Sequence, residues 1–198
     1  MIITAGIILL NVLISLAALY GSDKLYDWGM MRPYRTIRKN SWHELITSGF
    51  LHGSLTHLLV NMMVLFFFGS VMEGVLGNLQ FISLYFSALI VSGIPSLIKH
   101  KDNPQYATIG ASGAVEAVLF SYIFVFPTEK IILLLFPVPI PAWFFGLAFI
   151  GYSIFESKRG GGNINHTAHI TGAAWGILYM ILFVPNSIDH ILTIFGLM

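Results

Sequence analysis

Gly110-Ala111-Ser112-Gly113 opens an apolar run that continues to Phe126 and carries one charge, Glu116. A serine between two glycines is common, and alone it reads as a helix-entry turn without chemistry. A second apolar run, nearer the C-terminus, begins with Ala168-His169 and continues through Gly172 and Gly176. A serine and a histidine, each at the mouth of a hydrophobic helix, are the parts of a nucleophile and its base. Whether the two meet depends on how the rest of the chain crosses its surroundings.

Those surroundings follow from composition. Of 198 residues, 56% are hydrophobic and 10% charged, and the mean hydropathy is +0.80. Soluble domains are roughly a quarter charged, so this chain has too little polar surface to stay in water. Long apolar runs, rather than alternating strands of about ten residues, predict an all-α polytopic membrane protein, one domain over residues 1–198. The absence of cysteine excludes disulfides, thiolate metal sites and a cysteine nucleophile. A net charge of +1 gives no reason to expect a nucleic-acid partner. Residues 1–20 lack a charged leading region and a clear small-residue cleavage site, which reads as a retained span rather than a signal peptide.

Six runs nearly free of Asp, Glu, Lys and Arg match the roughly 20 residues of a bilayer crossing. They are residues 2–20, 55–72, 79–98, 112–126, 141–155 and 167–184. The fourth has 15 residues, about 22 Å of helix against a hydrocarbon core of roughly 30 Å, so one of its ends is expected to start below the surface. Pro137, Pro139 and Pro141 break the stretch before the fifth helix, which is placed from Pro141. Residues 21–44 mix Asp23, Lys24, Asp27, Arg32, Arg35, Arg38 and Lys39 with Trp28, Tyr34 and Trp42. They read equally as an amphipathic structure at the interface and as an ordinary loop.

Consecutive spans alternate direction, so the N-terminal ends of the second, fourth and sixth face one side. Those ends carry His57, Ser112 and His169. Ala168, Gly172 and Gly176 form a small-residue stripe at spacing four, and Gly113 and Ala117 form a matching one. Close packing of the two stripes would set Ser112 beside His169. His57 and Asn61 share a face four residues apart. They read either as a helix-to-helix hydrogen bond or, with the Ser112 backbone N–H, as donors aimed at a developing oxyanion. His166 and His169 have neither an HExxH pattern nor an evident third ligand, so no metal is expected.

Together these pieces resemble the rhomboid family of intramembrane serine proteases. The matching segments are Gly110-Ala111-Ser112-Gly113, Ala168-His169-Ile170-Thr171-Gly172 with Gly176, and His57-Leu58-Leu59-Val60-Asn61 preceded by Phe50-Leu51-His52-Gly53. The resemblance implies a six-helix bundle and a Ser–His dyad without metal or cofactor. In it Ser112 attacks the peptide carbonyl, His169 takes and returns the proton, and His57, Asn61 and the Ser112 N–H stabilise the oxyanion. It also implies that the partners are transmembrane protein substrates within the lipid bilayer, cut near where their helices enter it. Residues 99–108 and 158–165 would be covers and the fifth helix a lateral gate. One copy of the chain supplies the whole site, and a bacterial inner membrane is the expected location. The reading from another class is a non-catalytic rhomboid-like protein that binds transmembrane helices.

Two positions depart from the family pattern. Many rhomboids place an aromatic four residues after the serine, where it stacks on the histidine; this chain has Glu116. That carboxyl is open to three readings: orienting His169 as a third member, sitting protonated and tolerated, or impairing the dyad. Trp42-His43-Glu44 stands where the family often has tryptophan followed by arginine, which leaves the anchor of the first loop open. Nine cations, all but Lys130, fall on the serine side by the alternation of spans. The positive-inside rule would put that side in the cytoplasm, whereas the resemblance puts the N-terminus there and the site mouth outside, and the expectation follows the family.

Overall fold

The computed structural model describes residues 1–21, 23–133, 136–159 and 165–197, and these are mostly helical. Helix α1 (Ile2–Tyr20) has 19 residues, about 28 Å at 1.5 Å each, close to the thickness of a hydrocarbon core. Its buried stripe is Thr4, Ile7, Asn11, Ser15 and Ala18, spaced by threes and fours. Leu9, Leu10 and Leu13 are exposed. Polar groups therefore face protein and aliphatic ones face outward, the distribution that a lipid solvent requires.

The charged stretch after α1 folds into three short helices, α2 (Asp23–Gly29), α3 (Pro33–Arg38) and α4 (Glu44–Thr47), followed by a 3-10 turn at Ser48–Phe50. Its anchor is Glu44, which is fully buried. Oε1 accepts a hydrogen bond from Arg35 Nε at 2.6 Å, and Oε2 accepts from the Arg32 N–H and the Thr36 hydroxyl, both at 2.8 Å. The loop is thus held from within the Trp42-His43-Glu44 segment, whose pattern differs from the family's. Met31 and Thr108 exchange backbone hydrogen bonds of 3.1 and 2.9 Å, and the Ser48 carbonyl accepts from the Gly110 N–H at 2.9 Å. The folded loop consequently grips the segment that delivers the chain to Ser112.

Helix α5 (Leu55–Val64) passes through a π-helical turn, Leu65–Gly69, into α6 (Ser70–Lys99). Together they make a largely apolar run of 45 residues, which as one straight helix would be about 67 Å, twice a hydrocarbon core. Gly77, with φ 74° and ψ 166°, breaks the run in a conformation that only glycine adopts cheaply. The turn expected at residues 73–78 is this break. Just before it, Glu73 caps α1, accepting from the N–H groups of Ile3 and Thr4 at 3.1 and 2.8 Å and from the Thr4 hydroxyl at 2.7 Å. A carboxylate at a helix N-terminus satisfies orphan donors and complements the dipole.

Helix α7 (Ser112–Val125) is followed by strands β1 (Lys130–Leu133) and β2 (Phe136–Pro141), then α8 (Ala142–Arg159), α9 (His166–Phe183) and α10 (Ser187–Ile194). The strands pair antiparallel, Lys130 opposite Pro141 and Ile132 opposite Pro139. This short hairpin interrupts a fold that is otherwise helical, as expected. Prolines at 137, 139 and 141 forbid a helix but tolerate a two-stranded edge, because the residues between them keep their donors. Pro141 therefore closes β2, and the helix expected from it starts at Ala142. The glycines at 160–162 lie outside the described residues, as do 163 and 164. Helix α10 has no counterpart in the spans expected from the sequence. By length and apolar character, Ile2–Tyr20 and Leu55–Lys99 qualify as membrane spans, and α9 with α10, bent by 107°, qualifies as a third when taken as one broken span.

Helix α7 sits at the centre, buried along most of its length, which is how so short an apolar helix avoids having to span lipid by itself. Helix α9 lies directly against it. A Cβ at Gly172 would run into the Gly113 carbonyl, and one at Gly176 into the Ala117 carbonyl. The Ser121 hydroxyl donates to the Gly176 carbonyl at 3.1 Å. On its other side α9 is tied to α6, where Trp175 Nε1 donates to Ser87 Oγ at 2.9 Å and the Tyr179 hydroxyl to the Gln80 carbonyl at 3.0 Å.

Gly172→Val is expected to force α7 and α9 apart, costing about 1–3 kcal/mol or more and lowering the melting temperature in detergent. Gly6→Ala, at an α1 position with nothing within 4 Å, is expected to be neutral or slightly stabilising in the same assay. Glu44→Ala removes the acceptor of three hydrogen bonds, and a loss of about 2–3 kcal/mol should appear as a lower melting temperature.

Candidate active site

The entry to α7 is set by Gly110. Its φ of +119° lies outside the range of L side chains, and an added Cβ would come within 2.6 Å of His57 Cε1. Glycine is thus required both by conformation and by the imidazole seated on it. Ala111 is the N-cap of α7 and makes no side-chain cap bond. The N–H groups of Ala114 and Val115 bond to the Ala111 carbonyl. Those of Ser112 and Gly113 have no acceptor among the described residues, as first-turn donors do unless something else supplies one.

His169 lies in the first turn of α9, whose phase is set by Asn165. The Asn165 side chain accepts from the Ala168 N–H at 3.1 Å and donates through Nδ2 to Ser96 Oγ at 2.8 Å. With the start of α9 held in this way, and Gly172 seated on Gly113, His169 faces α7. Ser112 Oγ and His169 Nε2 lie 2.8 Å apart, 57 residues distant in sequence. The small-residue stripes read from the sequence are the surfaces across which they meet.

His57 begins α5, where its own N–H is capped by Ser54 Oγ at 3.1 Å. Asn61 Nδ2 donates to the His57 carbonyl at 3.1 Å, so one of its two amide hydrogens is held by its own helix. Two neighbours had no assigned role in the sequence reading. His52 is fully buried, with Nδ1 2.9 Å from Ser15 Oγ, and its ring meets that of His57 edge-on at 4.9 Å. Tied to α1 through Ser15, it buttresses His57. Phe149, on α8, stacks on His169 with ring centroids 6.2 Å apart and planes 15° from parallel.

Phe149 supplies from another helix the aromatic that Glu116 does not. Its signal in the sequence was faint: it lies between Gly146 and Ser153, both on the buried stripe of α8. Glu116 is buried one turn below Ser112, and no hydrogen bond joins it to His169 among the described residues. The orienting role open to it in the sequence therefore has no bond to act through. A cavity of about 800 Å³ has Ser112, His169, His57, Asn61, Glu116 and Phe149 on its walls. It combines a hydroxyl against an imidazole, free backbone donors and a mostly apolar enclosure, the parts of an acyl-transfer site.

The Rhomboid domain family matches residues 39–186. The chain is 33% identical over 162 residues to Rhomboid protein 1, mitochondrial, of Saccharomyces cerevisiae, covering 77% of this chain and 46% of that protein. It is 33% identical over 147 residues to RHOMBOID-like protein 12, mitochondrial, of Arabidopsis thaliana, covering 67% and 44%. It is 32% identical over 138 residues to the presenilin-associated rhomboid-like protein, mitochondrial, of Mus musculus, covering 69% and 37%. The matched part is thus less than half the length of each of these relatives. Their names place them in mitochondria, so this similarity lends no support to the bacterial inner membrane expected from the sequence. Three segments quoted in order, a helix pair packed backbone to backbone at its glycines and a family match covering residues 39–186 lead to one conclusion: this chain is a membrane protein of the rhomboid family.

Proposed function

We propose that this chain is an intramembrane serine endopeptidase that cleaves transmembrane segments of other membrane proteins. The observation that carries the reading is the 2.8 Å approach of Ser112 Oγ to His169 Nε2, between two helices whose glycine contact leaves no slack. In the tautomer with its proton on Nδ1, His169 accepts the Ser112 proton through Nε2 as the oxygen attacks the substrate carbonyl. The tetrahedral oxyanion forms beside the free Ser112 N–H, with the His57 ring and the second Asn61 amide hydrogen as further donors. His169 then returns the proton to the leaving amine, and water repeats the sequence on the acyl-enzyme.

Phe149 keeps the imidazole plane fixed during these transfers. A transmembrane substrate must unwind locally, since a hydrogen-bonded helix hides its carbonyls. A cavity walled by polar groups from α5, α7 and α9 offers the exposed backbone somewhere to go. Six crossings, with residues 55–99 counted as two, put the site mouth on the side of the loop anchored by Glu44. Helix α8, which buries only Ala142, Gly146 and Ser153 and exposes Trp143, Phe144, Leu147 and Phe155, is the lateral gate.

Ser112→Ala and His169→Ala should each abolish cleavage of a reporter transmembrane substrate in proteoliposomes while leaving the melting temperature near that of the parent. Fluorophosphonate labelling should be lost in Ser112→Ala, and full cleavage by either variant refutes the dyad. Phe149→Ala is expected to lower kcat by about tenfold through loss of His169 orientation. Gly6→Ala, on α1 with nothing within 4 Å, should leave kcat within about twofold.

A further inference from the structure

Six buried side-chain polar atoms have no hydrogen-bond partner among the described residues. Three of them, Glu116 Oε2, Ser153 Oγ and His166 Nδ1, belong to residues lining the cavity that holds Ser112 and His169. Buried unpaired polar atoms are rare in folded proteins because each costs about 1–3 kcal/mol, so three around one cavity need a cause. The contrast among carboxyls is sharper. Glu44 and Glu73 are as deeply buried, and each accepts three hydrogen bonds from neighbouring side chains and backbone. Glu116, 9% exposed, has an oxygen with none. The fold satisfies a buried carboxyl where that carboxyl is structural, and leaves one unsatisfied on a cavity wall.

Glu116 lies four residues after Ser112, which in a helix puts it on the same face and about 6 Å deeper. That depth is the reach of a short polar side chain whose own carbonyl carbon stands at Ser112 Oγ. A lysine or arginine would have to lose its hydration in an enclosure lined largely by apolar groups, so an uncharged donor fits better.

Resting on the endopeptidase reading, we infer that Glu116 determines specificity: its carboxyl accepts a hydrogen bond from a hydroxyl or carboxamide side chain of the substrate residue just before the cut bond. Ser153 from α8 and His166 from α9 lie on the walls of the same cavity and take no part in this contact. The carboxyl that replaces the family's aromatic on α7 thereby turns an apolar floor into a polar one, while Phe149 keeps the stacking role.

The test compares near-isosteric pairs, Thr against Val and Asn against Leu, at the residue before the cut in an otherwise constant reporter transmembrane segment. The parent chain is expected to favour Thr and Asn by at least about tenfold in kcat/KM. Glu116→Leu should equalise or reverse the order, and Glu116→Gln, which keeps hydrogen-bonding capacity, should retain it. Peptidyl phosphonates bearing the same four side chains, scored by labelling rate at Ser112, give the ranking from the parent chain alone should Glu116→Leu fail to fold. A parent preference for Val and Leu, or one unchanged in Glu116→Leu, overturns the subsite and leaves the protease intact; water alone then fills the cavity. If the parent neither cleaves any reporter nor labels with any phosphonate, the endopeptidase reading fails and the subsite falls with it.

Discussion

The backbone-to-backbone contact of α7 with α9 is the constraint on which the rest of the molecule depends. Gly172 rests on the Gly113 carbonyl and Gly176 on that of Ala117. In lipid there is no hydrophobic drive to bring helices together, so association depends on how closely two surfaces fit. Removing two side chains lets the axes approach until main chain meets main chain, and Ser121 then adds a hydrogen bond across the seam. Because that approach is limited by carbonyl oxygens rather than by flexible side chains, the relative height and rotation of the helices have little freedom. Ser112 and His169 inherit their 2.8 Å separation from it.

A second constraint shapes everything around this pair: a polar group placed in apolar surroundings must find a partner. Glu73 finds the open end of α1, and Glu44 gathers Arg35, Thr36 and a backbone N–H into the centre of the first loop. Ser15 donates to the Phe50 carbonyl at 3.0 Å and holds His52, so α1 reaches the floor on which His57 stands. These bonds convert what composition alone describes as greasy helices with charged connections into a braced frame. The loop is then part of the site's scaffold, since its carbonyl at Ser48 holds Gly110 and its backbone at Met31 holds Thr108.

How much of this was legible in the sequence follows from how local each signal is. The helices were readable because apolar runs and their lengths are local, and the approach of α7 to α9 because small residues at spacing four mark a face. Glycines at 74 and 77 both suggested a break, but only a backbone angle distinguishes Gly77 as the residue that makes it. The hairpin was hidden because alternating prolines say what the chain cannot do and not what pairs with what. The anchoring role of Glu44 was hidden because its partners Arg32, Arg35 and Thr36 lie 8 to 12 residues back, beyond any helical spacing. Phe149 was only faintly marked for a related reason: stacking on His169 requires the position of α8, which no periodicity encodes.

Phe149 also ties His169 to a helix whose other face is open to the membrane. The plane of His169 is supported by α8, the helix that exposes Trp143, Phe144, Leu147 and Phe155. An aromatic on α7 would have been insulated by the glycine seam; one on α8 is not. A tilt of α8 would reach the imidazole through the Phe149 ring, and through Tyr152, which meets His166 edge-on at 5.7 Å. The helix that lipid wets on one face thus supports the pose of His169 on the other.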